Sequence, residues 1–219
     1  ELDPFHIFGD SDERFHAHEG NDLITQRLTQ RVADAIEHDS VLEAVRRTPG
    51  GRYTATFRRG GSTFEATSPQ IVLAIPLTLL RRVQLDVGIP AQQQRAIAQV
   101  DYGTNAKLMI GFSERVWRTR HNASGTTFAD LGYQTTWETS RGQDGRAGVI
   151  TNFTGGRNGA QLGTGTPAEQ AQRTVSMFER VFPGAEAARA GMREARFHWP
   201  THEWTQGSYA CLSPGQWTQ

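Results

Sequence analysis

The stretch Val100-Asp101-Tyr102-Gly103-Thr104-Asn105-Ala106-Lys107-Leu108-Met109-Ile110-Gly111-Phe112 carries an alternation that orders everything around it. In an extended strand of period two, Lys107 and Met109 share one face while Leu108, Ile110 and Phe112 share the other. The apolar face is free to enter a core, and the lysine points elsewhere. That lysine stands out: in a chain of 219 residues, 22 of the 23 basic side chains are arginine and Lys107 is the single lysine. An ammonium is a compact point donor with a movable pKa, whereas a guanidinium is a planar fork that stays charged, so the two are not interchangeable.

Upstream of this strand, Pro90 introduces a helix over Ala91 to Val100, and Pro76 opens a short segment from Leu77 to Val83. Further back, alternating or β-branched runs at Val41–Val45, Tyr53–Phe57, Thr63–Ala66 and Ile71–Ile75 are separated by Pro49-Gly50-Gly51 and Gly60-Gly61. They read as strands of one antiparallel or mixed sheet. Before them, Asn21 or Asp22 caps a helix whose apolar residues are Leu23, Ile24, Leu28, Val32 and Ile36. Downstream comes a Gly-, Thr-, Asn- and Arg-rich region from Thr119 to Gly148, then a strand over Val149–Phe153. Thr166, Pro167 and Glu169 form a capping box for a helix with Val175, Phe178, Val181 and Phe182 on its apolar side, stopped at Pro183-Gly184. A last element covers Arg193–Trp199, followed by a turn-rich tail. Strands mixed with helices and no internal repeat predict an α+β fold, a mixed β-sheet flanked by helices.

With 23 Lys+Arg against 23 Asp+Glu the formal charge is zero, so the electrostatic footprint of a nucleic-acid or anionic-membrane partner is missing. No apolar run approaches the ~18 residues of a membrane span. The single cysteine, Cys211, forms no intrachain disulfide and reads as a small core residue, which favours a cytoplasmic location. Gly163-Thr164-Gly165-Thr166-Pro167-Ala168 fits G-x-G-x-x-A, but the capping box already accounts for those glycines. His198 and His202 are separated by Pro200, which breaks the helix that would align them as metal ligands. Ser208 lacks the second glycine of a nucleophile elbow. Spacing alone assigns the aromatics Trp199, Trp204, Tyr209 and Trp217 to packing.

Three stretches read in order resemble the flavin-containing amine oxidases, a group that includes monoamine, polyamine and bacterial L-amino-acid oxidases and histone lysine demethylases. The first runs from Ile36 through Val45, Tyr53–Phe57 and Phe64–Ala66 to Ile71–Leu80 with its Ile-Pro-x-x-x-Leu turn. The second runs from Ile89-Pro90 through Lys107 to Phe112, with Val116-Trp117. The third is Trp199-Pro-Thr-His-Glu-Trp204-Thr-Gln-Gly-Ser208-Tyr209-Ala, with Pro214-Gly215. Together with Asn21–Ile24 and the Thr166–Pro183 helix, the likeness covers nearly the whole chain.

The resemblance implies non-covalent FAD as cofactor and a small-molecule amine or amino acid as substrate. Lys107 matches the lysine that holds a water against the reactive flavin nitrogen, and Tyr209 matches one wall of the aromatic cage that aligns the amine. Trp199 matches a tryptophan beside the flavin ring system, Leu42 a position that meets the adenine, and Ser208 the place where covalent members carry their flavin-linked cysteine. The family's Rossmann glycine motif and its closing flavin motif are not in this sequence. Residues 1–219 are therefore expected to be the substrate-binding domain portion, inactive alone, completed by flavin-binding segments or sister chains, and prone to self-association through the surface those would cover. A non-catalytic binding or assembly module, or a processed subunit, is the competing expectation.

Overall fold

The computed structural model describes residues 15–189 and 191–216. Its first layer is a four-stranded sheet of β1 (Val41–Arg47), β2 (Tyr53–Arg59), β3 (Ser62–Ser68) and β4 (Gln84–Asp86) in the order β3-β2-β1-β4. β1, β2 and β3 form an antiparallel meander, and β4 adds in parallel to β1, so the sheet is mixed as expected. Gly51, with φ of +78°, closes the β1–β2 turn. Cross-strand ion pairs decorate the meander: Arg46 grips Glu65 at 2.6 Å and Arg58 meets Glu43 at 2.6 Å. Both are exposed, and such pairs contribute only about 0–1 kcal/mol each. Ile71–Ile75 departs from expectation, because it forms no strand. The outer edge of β1 is taken by β4, and among the described residues nothing pairs with 71–75, leaving Val72 exposed.

Short helices α2 (Leu77–Leu80) and α3 (Ala91–Gln99) follow, and β5 (Asp101–Tyr102) leads into β6 (Ala106–Phe112). β6 is central to a five-stranded antiparallel sheet with β7 (Thr127–Phe128), β8 (Thr135–Glu138), β9 (Gly148–Thr154) and β10 (Glu194–His198), in the order β10-β6-β9-β8-β7. Along β6 the predicted alternation holds: Leu108, Ile110 and Phe112 are buried, while Lys107, Met109 and Gly111 are only partly covered. Helices α4 (Val116–Thr119), α5 (Gly156–Leu162), α6 (Pro167–Phe178) and α7 (Ala185–Arg189) close over the buried face. Phe178 sits at the middle of that core, its ring 6.0 Å from Phe112, 6.2 Å from Trp117, 6.4 Å from Tyr133 and 4.9 Å from Phe182. The region 119–148 thus hides two strands, and its Tyr133 is a core residue. Apolar alternation is too short there to stand out from the surrounding turn residues.

The capping box of α6 forms as expected: Thr166 Oγ1 accepts from the Glu169 N–H, and the Glu169 carboxylate accepts from the Thr166 N–H. Val181 is exposed, because the helix ends at Phe178 and the following turn rotates it out of the core. The first helix, α1 (Asp22–Arg31), also forms, but neither Asn21 nor Asp22 caps it by side chain. Asn21 Oδ1 instead accepts from the Ala17 N–H. No residue of α1 is buried, and Ile24, Leu28 and Val32 face outward. Ile36 falls beyond the helix, after a 3₁₀ turn.

Glu138, fully buried at the end of β8, is the charged centre of the core. Its Oε2 accepts from Trp117 Nε1 at 2.9 Å and from Arg118 Nε at 2.6 Å, and its Oε1 accepts from the Ser140 hydroxyl at 3.2 Å. Arg115 lies 3.2 Å away as a second ion-pair partner and donates to the Gln143 carbonyl. Removal of Glu138 leaves the buried Arg115 and the buried Trp117 indole N–H without their carboxylate and frees the part-exposed Arg118, so Glu138→Ala is expected to lose about 3–5 kcal/mol in urea unfolding. A loss below about 1 kcal/mol would contradict this account.

Glu114 accepts from Arg146 at 2.7 Å, from the Thr119 hydroxyl at 2.8 Å and from Arg120 at 3.1 Å. These bonds, that of Arg146 first, hold its carboxyl down from 4.5 to about 2. A depressed folded pKa means that the stabilisation is complete above about 4.5 and is lost as pH falls toward 2. Glu114→Gln is therefore expected to flatten the acid limb of the stability–pH curve in that window and to leave its shape unchanged near neutrality.

Candidate active site

The face of the five-stranded sheet opposite the helices carries Lys107. Strand register sets Phe197 of β10, Lys107 of β6, Phe153 of β9 and Thr135 of β8 in one row across the sheet. Side chains in such a row stand side by side, so the ammonium is flanked by rings on both neighbouring strands. Its Nζ lies 5.6 Å from the Trp137 ring centre, 5.8 Å from Phe153 and 5.9 Å from Trp199. Trp137 and Phe153 touch each other at 5.7 Å, and Trp199 packs edge-on against Phe197 at 4.6 Å. Among the described residues, no carboxylate pairs with Lys107. A cation held by ring faces keeps its N–H groups available, which an ion pair would consume.

Trp199 takes its place because β10 ends in a 3₁₀ turn over Trp199–Thr201, with Pro200 inside it. The next loop returns to the start of β6. Gly207, at φ +151°, lies against the Tyr102 ring, where any side chain would collide. The Leu77 N–H donates to the Tyr102 hydroxyl at 3.0 Å, and Thr78 Oγ1 donates to the Thr205 carbonyl at 2.6 Å, so α2 also clamps this loop. β11 (Ala210–Cys211) then pairs with β5. Tyr209 is 58% exposed and lies beside Gly103, whereas the Ser208 hydroxyl turns inward to Asn105. Cys211 is exposed on β11, contrary to the core role expected, because among the described residues nothing packs over it on that two-residue ladder.

The structure thus gathers Lys107 and Trp199, and attaches Tyr209 and Ser208 to the chain just ahead of β6. Leu42 lies on the other sheet, half-buried beside a β-bulge in β1. Trp217 lies outside the described residues. His198, next to Trp199, belongs to the helix-covered side of β10. Burial, then the charge of Arg196, holds its pKa below the usual histidine value. Two ring walls, Trp137 and Phe153, were missed in the sequence. For Phe153 the signal was the strand at Val149–Phe153, where it stands on the opposite face from Ile150 and Asn152; Trp137 had none, because in Thr135–Glu138 the buried positions are the polar Thr136 and Glu138. Beyond Met109 the same face continues as an open groove of ≈ 560 Å³ between Val149 and Met192–Ala195.

The sequence model for flavin containing amine oxidoreductases matches residues 3–219. The chain belongs to the flavin-containing amine oxidase family. An L-amino acid dehydrogenase from Synechocystis sp. is 27% identical over 218 residues, which is 96% of this chain and 43% of that protein. A flavin-containing amine oxidase from Danio rerio is 26% identical over 152 residues, 68% of this chain and 29% of the relative. The chain therefore spans less than half the length of these relatives. Among solved structures, putrescine oxidase bound to putrescine superposes with a TM-score of 0.73 at 20% identity, covering 88% of this chain and 41% of that one. Cyclohexylamine oxidase from Brevibacterium oxydans gives 0.73 at 17% identity, covering 90% and 42%. At these identities the solved structures establish the amine oxidase fold. No helix among the described residues is long and apolar enough to cross a membrane.

Proposed function

We propose that this chain is the substrate-domain part of an FAD-dependent amine oxidase that oxidises an amine or amino acid to an imine, with oxygen reduced to hydrogen peroxide. The observation that carries this reading is the single lysine of the chain standing on an open sheet face, ringed by Trp137, Phe153 and Trp199 with no carboxylate partner among the described residues. The donor set fits the edge of a flavin ring system: flat aromatic surfaces for stacking and one ammonium free to hold a water. The glycine-rich start of α6 is not a pyrophosphate cradle, since it is already occupied by the Thr166–Glu169 box. Most of the cofactor's binding energy must come from other sequence, and this chain alone is read as inactive.

A bound flavin supplies the two-electron acceptor for the C–H bond next to nitrogen. The chain's own residues do the rest. The Tyr209 ring face draws in the cationic form of the amine, and desolvation at the closed site favours the neutral form needed for oxidation. Tyr209 restricts the amine's orientation, which lowers the entropic part of the barrier, while Trp199 stands beside the flavin ring system. Lys107 presents its N–H groups to one water and so places a proton donor at a defined point. The relative named an L-amino acid dehydrogenase supports oxidation of an amino acid as one form of this chemistry.

In the flavin-loaded polypeptide carrying this chain, Lys107→Met is expected to slow flavin reduction or reoxidation by about 10²-fold or more with the fold intact. Stopped-flow absorbance follows both half-reactions, and unchanged rates in both would end the assignment. Tyr209→Phe should retain most of the turnover and Tyr209→Ala should not, since ring geometry rather than the hydroxyl orients the amine. Parent-like turnover and amine affinity in Tyr209→Ala would reduce the ring to packing.

A further inference from the structure

Lys107 and Tyr209 sit on different parts of the chain, and one side-chain hydrogen bond ties those parts together. Asn105 lies two residues before Lys107 and is buried at 9% exposure. Ser208 lies one residue before Tyr209. The Ser208 hydroxyl donates to Asn105 Oδ1 at 2.7 Å, across 103 residues of sequence. Two backbone bonds flank it: the Gly103 N–H donates to the Tyr209 carbonyl at 2.9 Å, and the Ser208 N–H donates to the Gly103 carbonyl at 2.8 Å. Gly103 has no space for a side chain, because a Cβ there would press on the Ser208 hydroxyl and the Asn105 carboxamide. On its other side Asn105 backs onto Gly155, where a Cβ would come within 2.9 Å of Nδ2. The acceptor is held in place by backbone on both sides.

The Tyr209 ring is mostly exposed and stacks on no other ring among the described residues, so its position is inherited from the main chain. That main chain is joined to β5 by a ladder of two residue pairs, Ala210 with Tyr102 and Cys211 with Asp101, extended by the two bonds to Gly103 and by Ser213 Oγ on Asp101. A ladder so short frays readily without a further anchor. We infer that Asn105 and Ser208 are positioning residues, a strut that holds the Tyr209 ring in register with the Lys107 strand. The strut rests on the amine oxidase reading for its purpose, and it assigns Ser208 a role that requires no contact with the cofactor. Because Lys107 itself is fixed by the β6 pairing, loss of the strut should loosen the Tyr209 wall and leave the lysine in place.

The test uses the polypeptide carrying this chain as parent, Ser208→Ala, Asn105→Ala and the double variant. In flavin-free protein, Ser208→Ala is expected to speed amide hydrogen exchange at Gly103 and Ser208 about tenfold, with Gly111 and Ser113 unchanged. In flavin-loaded protein, it should slow flavin reduction by amine about tenfold and leave reoxidation within about twofold. The double variant should be no worse than the more impaired single, as for two ends of one bond. Unchanged exchange at Gly103 and Ser208, unchanged flavin reduction, equal slowing of both half-reactions, or single effects that multiply would each overturn the strut. If Asn105→Ala does not fold, Ser208→Ala decides alone, because it deletes only a hydroxyl. Lys107→Met separates the two levels: if it leaves both half-reactions unaltered the amine oxidase reading fails, while the exchange result still reports on the strut.

Discussion

The two-residue period of β6 is the constraint on which the structure depends. Successive side chains of a strand must leave on opposite faces, so burying Leu108, Ile110 and Phe112 under the helices obliges Lys107 and Met109 to face away. A slip of one residue would drive the ammonium into the core and expose three large apolar groups. The pairings of β6 with β9 and β10 therefore fix the position of the lysine without any contact made for that purpose. The core pins the register, and the register delivers the ammonium to the rings.

The same pairing explains why the aromatic walls are where they are. Phe153 and Phe197 are the cross-strand partners of Lys107, and Trp137 belongs to the same face one strand further on. None of the three is within 25 residues of Lys107 along the chain, so they meet only because the antiparallel ladder forms. The buried Glu138 network secures the far end of that ladder. It joins β8 to α4 through Trp117 and Arg118, so the strand that carries Trp137 is held by charge-assisted bonds inside the core.

The four-stranded sheet and α1 are a contrast. Their ion pairs are exposed, β3 is uncovered along its length, and the apolar stripe of α1 has nothing packed on it among the described residues. Ile71–Ile75 has the composition of a buried strand and finds no strand partner among the described residues. The chain spans less than half the length of the relatives it matches, and these features share a physical signature: apolar groups whose partners are not among the described residues. The five-stranded sheet with its helices shows the opposite, a closed core with its charged and polar groups largely satisfied internally.

What the sequence determined by itself was local or carried by ordered motifs. The alternation around Lys107, the Thr166 capping box and the helix at Ala91 are decided by nearest-neighbour sterics and hydrogen bonding, and the three amine oxidase stretches survive as linear text. The tertiary structure alone decided what depends on pairing partners. Trp137 and Phe153 became neighbours of Lys107 through strand register, Ile71–Ile75 found no strand partner among the described residues, and Ser208 turned to Asn105 because Gly103 let two backbones approach. A strand's period is written in its own residues, but which strand lies beside it is set by the packing of the whole sheet, and that is where the ring of aromatics about the lysine was made.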